Sequence, residues 1–310
     1  MDPIDESWRL AKKQGALQRR AMMIRAIRRF FCDRDYLEVE TPVRIPAPAP
    51  EEHIDAAPSG DWFLQTSPEL CMKRLVASGY PGIFQISKCF RADERGRLHL
   101  PEFTMLEWYS KGGNCETLMQ ECEELVIFIA QALDVADTLV YQGMTITLKP
   151  PWERISVADA FARYAPLSMR EALEKDCFDE LLACEIEPRF GDGRPVFLCD
   201  FPLERGALAR AKKSDPELAE RFELYIGGLE LANAFSELTD EKEQRLRFEK
   251  AQRLRRAAGK AVYPLPEPFL KSLRHMPDAA GIALGVDRLA MLFTDSVSID
   301  EVVAFTPEML

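Results

Sequence analysis

The sequence has little from which to build a metal centre or a disulfide framework. Its eight cysteines are scattered without one CxxC pair, and only three histidines accompany them. Reduced or buried thiols in a cytoplasmic protein fit that pattern better than zinc ligands or bridges. No run of about 18 apolar residues occurs, so a membrane-spanning helix is not expected. The opening stretch MDPIDESWRLAKKQ lacks the apolar core of a secretory signal. Basic residues are in deficit too: 40 Lys and Arg stand against 51 Asp and Glu, for a formal net charge of −11. Affinity for nucleic acid comes largely from neutralising phosphates with basic side chains. Broad RNA binding, tRNA included, is therefore disfavoured.

What remains is an ordinary globular composition, 47% hydrophobic over 310 residues, which suffices for a substantial core. Leu17, Ala21, Ile24, Ile27 and Phe31 recur at helical spacing and predict an amphipathic helix over 16–31. Residues 36–42 alternate like a strand and stop at Pro42. The proline-rich stretch 45–60 reads as a mobile loop. Strands are expected at 62–66, 82–91 and 102–109, and helices at 68–78 and 115–133. Residues 153–220 read as helix-rich, with breaks at Pro166, Pro188 and Gly191-Asp192-Gly193. A hairpin about Gly227-Gly228 spans 221–236, a charged helix 240–258, and a strand at 280–286 feeds a helix at 287–293. There is no internal repeat. The mixture predicts one α+β domain around a mostly antiparallel sheet flanked by helices.

Two segments carry chemistry. In FQISKCFRADERGRLHLPEFTMLEWY (84–109), two strands flank a polar loop. Arg91 stands where the first strand ends, and its planar fork suits a phosphate. Phe103 offers a face to a planar base, and Glu107 and Tyr109 point the same way on the returning strand. In GIALGVDR, Gly281, Ala283 and Gly285 recur at period two, where small residues admit a ligand or another backbone. Arg288 follows at a helix N-terminus, whose positive end favours a polyphosphate. Taken singly, a charged hairpin and a glycine-rich packed strand would read the same way.

A third segment is the hairpin carrying Glu223 and Glu230. With a two-residue turn at Gly227-Gly228, Tyr225 faces Glu230, and Glu223 becomes a diagonal neighbour of Glu230. Two carboxylates so placed repel unless a cation lies between them, and magnesium completed by phosphate oxygens suits the pair.

FRADERGRLHLPEFTMLEWY resembles motif 2 of the class II aminoacyl-tRNA synthetases, and GIALGVDR resembles their motif 3. The helix running to Pro42 resembles motif 1, the dimer-forming element. TSPELCMKRL, PEFTMLEWY and RFELYIGGLELANAFSEL are most similar to lysyl-tRNA synthetases, and the resemblance extends from about Trp8 to Leu310. Motif 1 begins so early that the anticodon-binding domain has no room, which leaves a single catalytic domain over 1–310. That layout resembles the lysyl-tRNA synthetase-like ligases that attach (R)-β-lysine to elongation factor P. Ala283 agrees, since those ligases carry alanine where the synthetases carry glycine.

The resemblance implies an ATP-dependent, AMP-forming ligase, homodimeric and cytoplasmic, with elongation factor P as acceptor. It places Arg91 at the α-phosphate and Arg288 near the γ-phosphate. Phe103 would lie on adenine, and Ala92, Asp93, His99, Leu100, Glu230, Leu231 and Gly285 about the nucleotide. Glu223 and Glu230 become the magnesium ligands. Tyr109 and Glu237 would hold a distal ammonium. Glu69, in Ser67-Pro68-Glu69, and Glu107 would lie near the other amino group, with Ala283 in the same pocket. Two departures stand out: the Arg-Asn-Glu signature reads Arg91-Ala92-Asp93, and Leu100 replaces an asparagine, with Arg95, Arg97 and His99 at hand to compensate. The basic run Arg245, Arg247, Arg253, Arg255 and Arg256 reads as a solvated helix face. A minimal lysyl-tRNA synthetase and a non-catalytic amino-acid-binding paralogue are the competing readings.

Overall fold

The computed structural model describes residues 3–190 and 193–310, with side chains from Trp8 onward. The break expected at Gly191-Asp192 lies outside the described residues. Among them the main sheet has nine strands. Its interior is antiparallel and runs Gly82–Phe90, Glu102–Lys111, Ala279–Gly285, Leu229–Ser236, Asp215–Ile226, Val196–Pro202. Parallel pairs close both ends: Leu37–Glu38 lies beside Gly82–Phe90, and Glu153–Ser156 beside Val196–Pro202. Only Leu37–Glu38 of the strand expected over 36–42 joins the sheet.

The helix Gln14–Cys32 packs on the sheet through Met23, Ala26, Ile27, Phe30 and Phe31. This stripe is rotated from the expected one. Leu17 and Ile24 are only partly covered and Ala21 is exposed. Leu10, Ala11, Leu17 and Ala21 instead line a shallow apolar groove on the outside. The helix Cys115–Ala132 starts at Asn114, which caps it reciprocally with Thr117, and it buries its apolar face in the same core.

The helix-rich reading of 153–220 fails after residue 193. Val157–Tyr164 and Met169–Glu174 are helices, but Val196–Pro202 and Asp215–Ile226 are sheet strands, as is the short Glu153–Ser156 at the start of the range. The reason is burial on both faces. Val196, Phe197 and Leu198 are all covered, so the strand shows a continuous apolar run and no alternation.

Gly227 and Gly228 have φ of +60° and +74° and make the expected two-residue turn. Past Tyr225↔Glu230 the register slips by one: Leu224 pairs with Ala232, and Glu223 opposes Asn233. The bulge accommodates Leu231 as an extra residue. Asp287 ties the three motif-bearing segments together. It pairs with Arg20 of the long N-terminal helix and accepts a 2.7 Å hydrogen bond from the Thr104 backbone N–H.

Candidate active site

A cavity of about 480 Å³ lies against the middle of the sheet, within the range of small-ligand sites. Strand alternation brings Glu107, Ala283 and Asn233 to it from adjacent strands, with Ala283 paired to both others. Helix starts contribute Glu69 and Arg288, and the loop after Gly82–Phe90 contributes Arg91.

One end is acidic. Glu107 is fully buried. It accepts hydrogen bonds from Ser67 Oγ at 2.5 Å and from the Tyr109 hydroxyl at 2.8 Å. Burial, reinforced by Glu69, pushes its pKa up to about 8. Behind this wall, Glu237, 1% exposed, is raised by burial to about 7 although Lys73 pulls the other way. The Lys73 ammonium is 2.5 Å from Glu69 Oε1 and 2.5 Å from Glu237 Oε2. Burial works against its charge, but Glu237 and Glu69 outweigh that and raise its pKa. The approach to Glu237 is off the line of a hydrogen bond, so both its oxygens are buried without an aligned donor.

Gly281 does not leave room for a ligand. A Cβ there would stand 2.1 Å from Tyr109 Cε1 and 2.5 Å from Glu237 Oε1, so the space belongs to those side chains. At Gly285 the nearest atoms would be 3.8 Å and 3.9 Å away, and the room opens to the cavity.

The other end is basic. Arg91 has a buried Nε without a partner, and its guanidinium lies 5.1 Å from the Phe103 ring. Arg288 donates to the Glu230 carbonyl at 2.7 Å and lies 2.7 Å from His99 Nε2. Burial and the Arg288 charge lower the His99 pKa. Arginine has no acceptor, so Nε2 of a neutral imidazole receives the bond.

Between the two ends, Glu223 is held by Arg221 at 2.5 Å and by the Tyr225 hydroxyl at 2.7 Å. Its pKa is raised by burial, with Arg221 opposing and Glu230 adding to the rise. Glu187, 3.2 Å from the same hydroxyl, is raised to about 7 by burial and by Glu223. One hydroxyl proton cannot serve both carboxylates at once. Among the described residues no three His, Cys, Asp or Glu side chains gather as a metal site. Glu223 and Glu230 thus fit a hard cation only when phosphate oxygens complete its shell.

Several expected residues sit elsewhere. Ala92, Asp93 and Glu237 are not on the cavity wall; Glu237 lies behind it, against Lys73 and beside Gly281. Asp93 takes a left-handed turn at φ +63° that throws it into solvent, and the Ala92 N–H donates to the Asp55 carbonyl at 2.7 Å. Pro68 starts the Glu69–Ala77 helix, while its neighbours Ser67 and Glu69 face inward. Arg95 does not compensate for Leu100, because Glu308 and Asp300 hold it at 2.8 Å and 2.9 Å. Arg255 is no solvated surface group. It is fully buried.

The sequence reading also missed Arg221, Lys73 and Glu51. Arg221 was findable, being two residues before Glu223 and so on the same strand face. Lys73 follows Glu69 by one helical turn, an ordinary surface pair in sequence. Glu51 gave no signal, since nothing local marks a loop residue as facing a cavity.

The family model of class II tRNA synthetases (D, K and N) matches residues 6–309. Elongation factor P--(R)-beta-lysine ligase of Edwardsiella ictaluri is 39% identical over 317 residues, covering 97% of each chain. Its namesake in Hamiltonella defensa is 38% identical over 320 residues, covering 97% of this chain and 98% of the relative. Lysine--tRNA ligase of Anaeromyxobacter sp. (strain K) is 39% identical over 94% of this chain, which spans 64% of that relative.

Proposed function

The chain belongs to the class II tRNA synthetases, and we propose that it activates (R)-β-lysine with ATP and transfers it to a lysine side chain of elongation factor P. The observation that carries this reading is the polarity of one cavity. Glu69 and Glu107 face Arg91 and Arg288 across it. A doubly ammonium-bearing acid needs carboxylates to offset the loss of water, and a triphosphate needs cations.

In the first step a substrate carboxylate oxygen attacks the α-phosphorus. A P–O bond forms, the bond to pyrophosphate breaks, and an aminoacyl-adenylate results. The nucleophile is already an anion, so the protein acts by alignment and by stabilising phosphoryl charge. Arg91 is assigned to the α-phosphate and Arg288 to the γ-phosphate, with adenine on Phe103 beside Leu231 and Gly285. Glu223 and Glu230 would hold a magnesium ion, which supplies positive charge to the phosphates. The distal ammonium is assigned to Tyr109 and Glu237, whose donor-free Oε1 supports that role. In the second step the neutral lysine nitrogen bonds to the acyl carbon, the bond from that carbon to the phosphate oxygen breaks, AMP leaves, and the nitrogen gives up a proton to solvent.

Ala283 supports the ligase reading over a tRNA-charging one, as does the acidic balance. The exposed groove of Leu10, Leu17 and Ala21 supports a homodimer. No helix of the described residues is long and apolar enough to cross a membrane.

Pyrophosphate exchange with (R)-β-lysine, α-lysine and ornithine tests the proposal. Exchange followed by labelling of elongation factor P is expected. Exchange with α-lysine followed by tRNA charging would favour a synthetase, and no exchange with any of them would favour an inert paralogue. Glu237→Ala is expected to lose discrimination for a distal amine, and Glu230→Ala to weaken activation of every substrate.

A further inference from the structure

The proline-rich segment 45–60 runs along the cavity, and Glu51, Glu52, His53 and Ile54 line it. It is held there by a buried arginine. Arg255 Nη1 donates to the carbonyls of Glu51 at 2.8 Å and Ile54 at 2.9 Å. Nη2 reaches Asp55 Oδ1 at 2.5 Å and the Tyr263 hydroxyl at 3.0 Å, and Nε reaches the Ala261 carbonyl at 2.6 Å. The guanidinium also lies over the Tyr263 ring at 4.4 Å. A fully buried guanidinium with every edge bonded is a rigid anchor. Its far end is tied to the phosphate-facing loop, because the Asp55 carbonyl accepts from the Ala92 N–H next to Arg91.

So much fixing of a loop would be idle if the loop carried nothing. It carries Glu51, whose carboxylate makes no ion pair or side-chain hydrogen bond with any described residue and faces the cavity. Glu69 and Arg91 line the same cavity, and the charges of both act on Glu51. On the reading above, the substrate carboxylate meets the phosphate at Arg91, and an amino group one or two carbons away needs an acid on the same cavity wall.

We propose that Glu51 is a specificity-determining residue that receives the amino group nearer the reacting carboxylate, together with Glu69, and that Arg255 is the positioning residue that presents it. This deepens the reading of the cavity given above and rests on it. No bond is made or broken by Glu51. It selects for a near ammonium by supplying a charge that is otherwise unsatisfied, and the arginine anchor spares it the entropy of ordering a mobile loop.

The test is pyrophosphate exchange by the full chain and Glu51→Gln with (R)-β-lysine, α-lysine and ε-aminocaproate, which lacks the near amino group. Glu51→Gln is expected to raise KM for both diamino acids about tenfold, the loss of one charge-assisted bond, while KM for ATP and for ε-aminocaproate stays put. Arg255→Met is expected to shift the same KM values in the same direction; its fold is checked by circular dichroism. Should Arg255→Met not fold, the Glu51→Gln arm decides alone. An active parent whose Glu51→Gln variant keeps its diamino-acid KM within about twofold, or raises KM for ε-aminocaproate equally, overturns the assignment. A parent that exchanges with no diamino acid sinks the underlying reading and this assignment with it.

Discussion

The Lys73 ammonium lies 2.5 Å from Glu237 Oε2, and both side chains are almost wholly cut off from solvent, at 2% and 1% exposure. A cation beside Glu237 and Glu69 opposes, but does not cancel, the burial that raises the Glu237 pKa. Removing one member of a buried pair leaves the other charge stranded. Lys73→Met should therefore destabilise the protein by about 3 kcal/mol, measured by urea unfolding at neutral pH. The double variant Lys73→Met/Glu237→Gln should recover most of that loss. If the double variant is as unstable as the single one, the pair is not the cause.

Substrate binding should release protons. Glu107 is raised to about 8, and Glu51 and Glu237 to about 7, burial being the main cause in each. In the unfolded chain these groups lose their protons near 4.5, whereas the folded protein retains them to neutral pH. The unfolded state then binds fewer protons, so this contribution to stability falls as pH rises from about 4.5 to about 8 and is level above that. A dication entering the cavity favours the carboxylates and lowers their pKa. Calorimetric titration with a diamino acid at pH 7, in two buffers of different ionisation enthalpy, should show net proton release. Equal apparent enthalpies in both buffers would contradict it.

Gly281 and Gly285 should respond oppositely to a single methyl group. Gly281→Ala collides with Tyr109 and Glu237 and should cost about 1–3 kcal/mol of stability, with loss of amino-acid binding. Gly285→Ala meets nothing closer than 3.8 Å. It should leave the melting temperature unchanged and raise KM for ATP alone. Differential scanning fluorimetry with exchange kinetics separates the two.

Asp287→Asn should loosen the joint between the N-terminal helix and the sheet. Asp287 is 3% exposed and Arg20 15%, so the stranded arginine regains part of its hydration. A loss of about 2 kcal/mol, somewhat under that of a fully buried pair, is expected. Hydrogen exchange should quicken first in Gln14–Cys32. Protection there equal to the parent protein would refute the clip.

Much of the fold was legible because it is written locally. Period-two and helical patterns located the hairpins and the long helices, and Gly227-Gly228 defined a turn that only residues tolerant of positive φ can make. Legibility ended where burial on both faces erased the alternation, as at Val196–Leu198. It ended also where a bulge moved Glu223 opposite Asn233.

By itself the sequence determined which residue types enter the site and in what order. Glu107, Glu223, Glu230 and Arg288 stand on strands and a helix start whose local chemistry orients them, and Arg91 follows directly on a strand end. Tertiary structure alone decided the pairing: Lys73 with Glu237, Arg221 with Glu223, and Arg255 with the carbonyl of Glu51, 204 residues away. It also decided that Ala92 and Asp93 face away from the cavity. Strand and helix periodicities are set by neighbours in the chain, whereas a buried charge takes whichever partner packing brings within reach, and no local pattern encodes that choice.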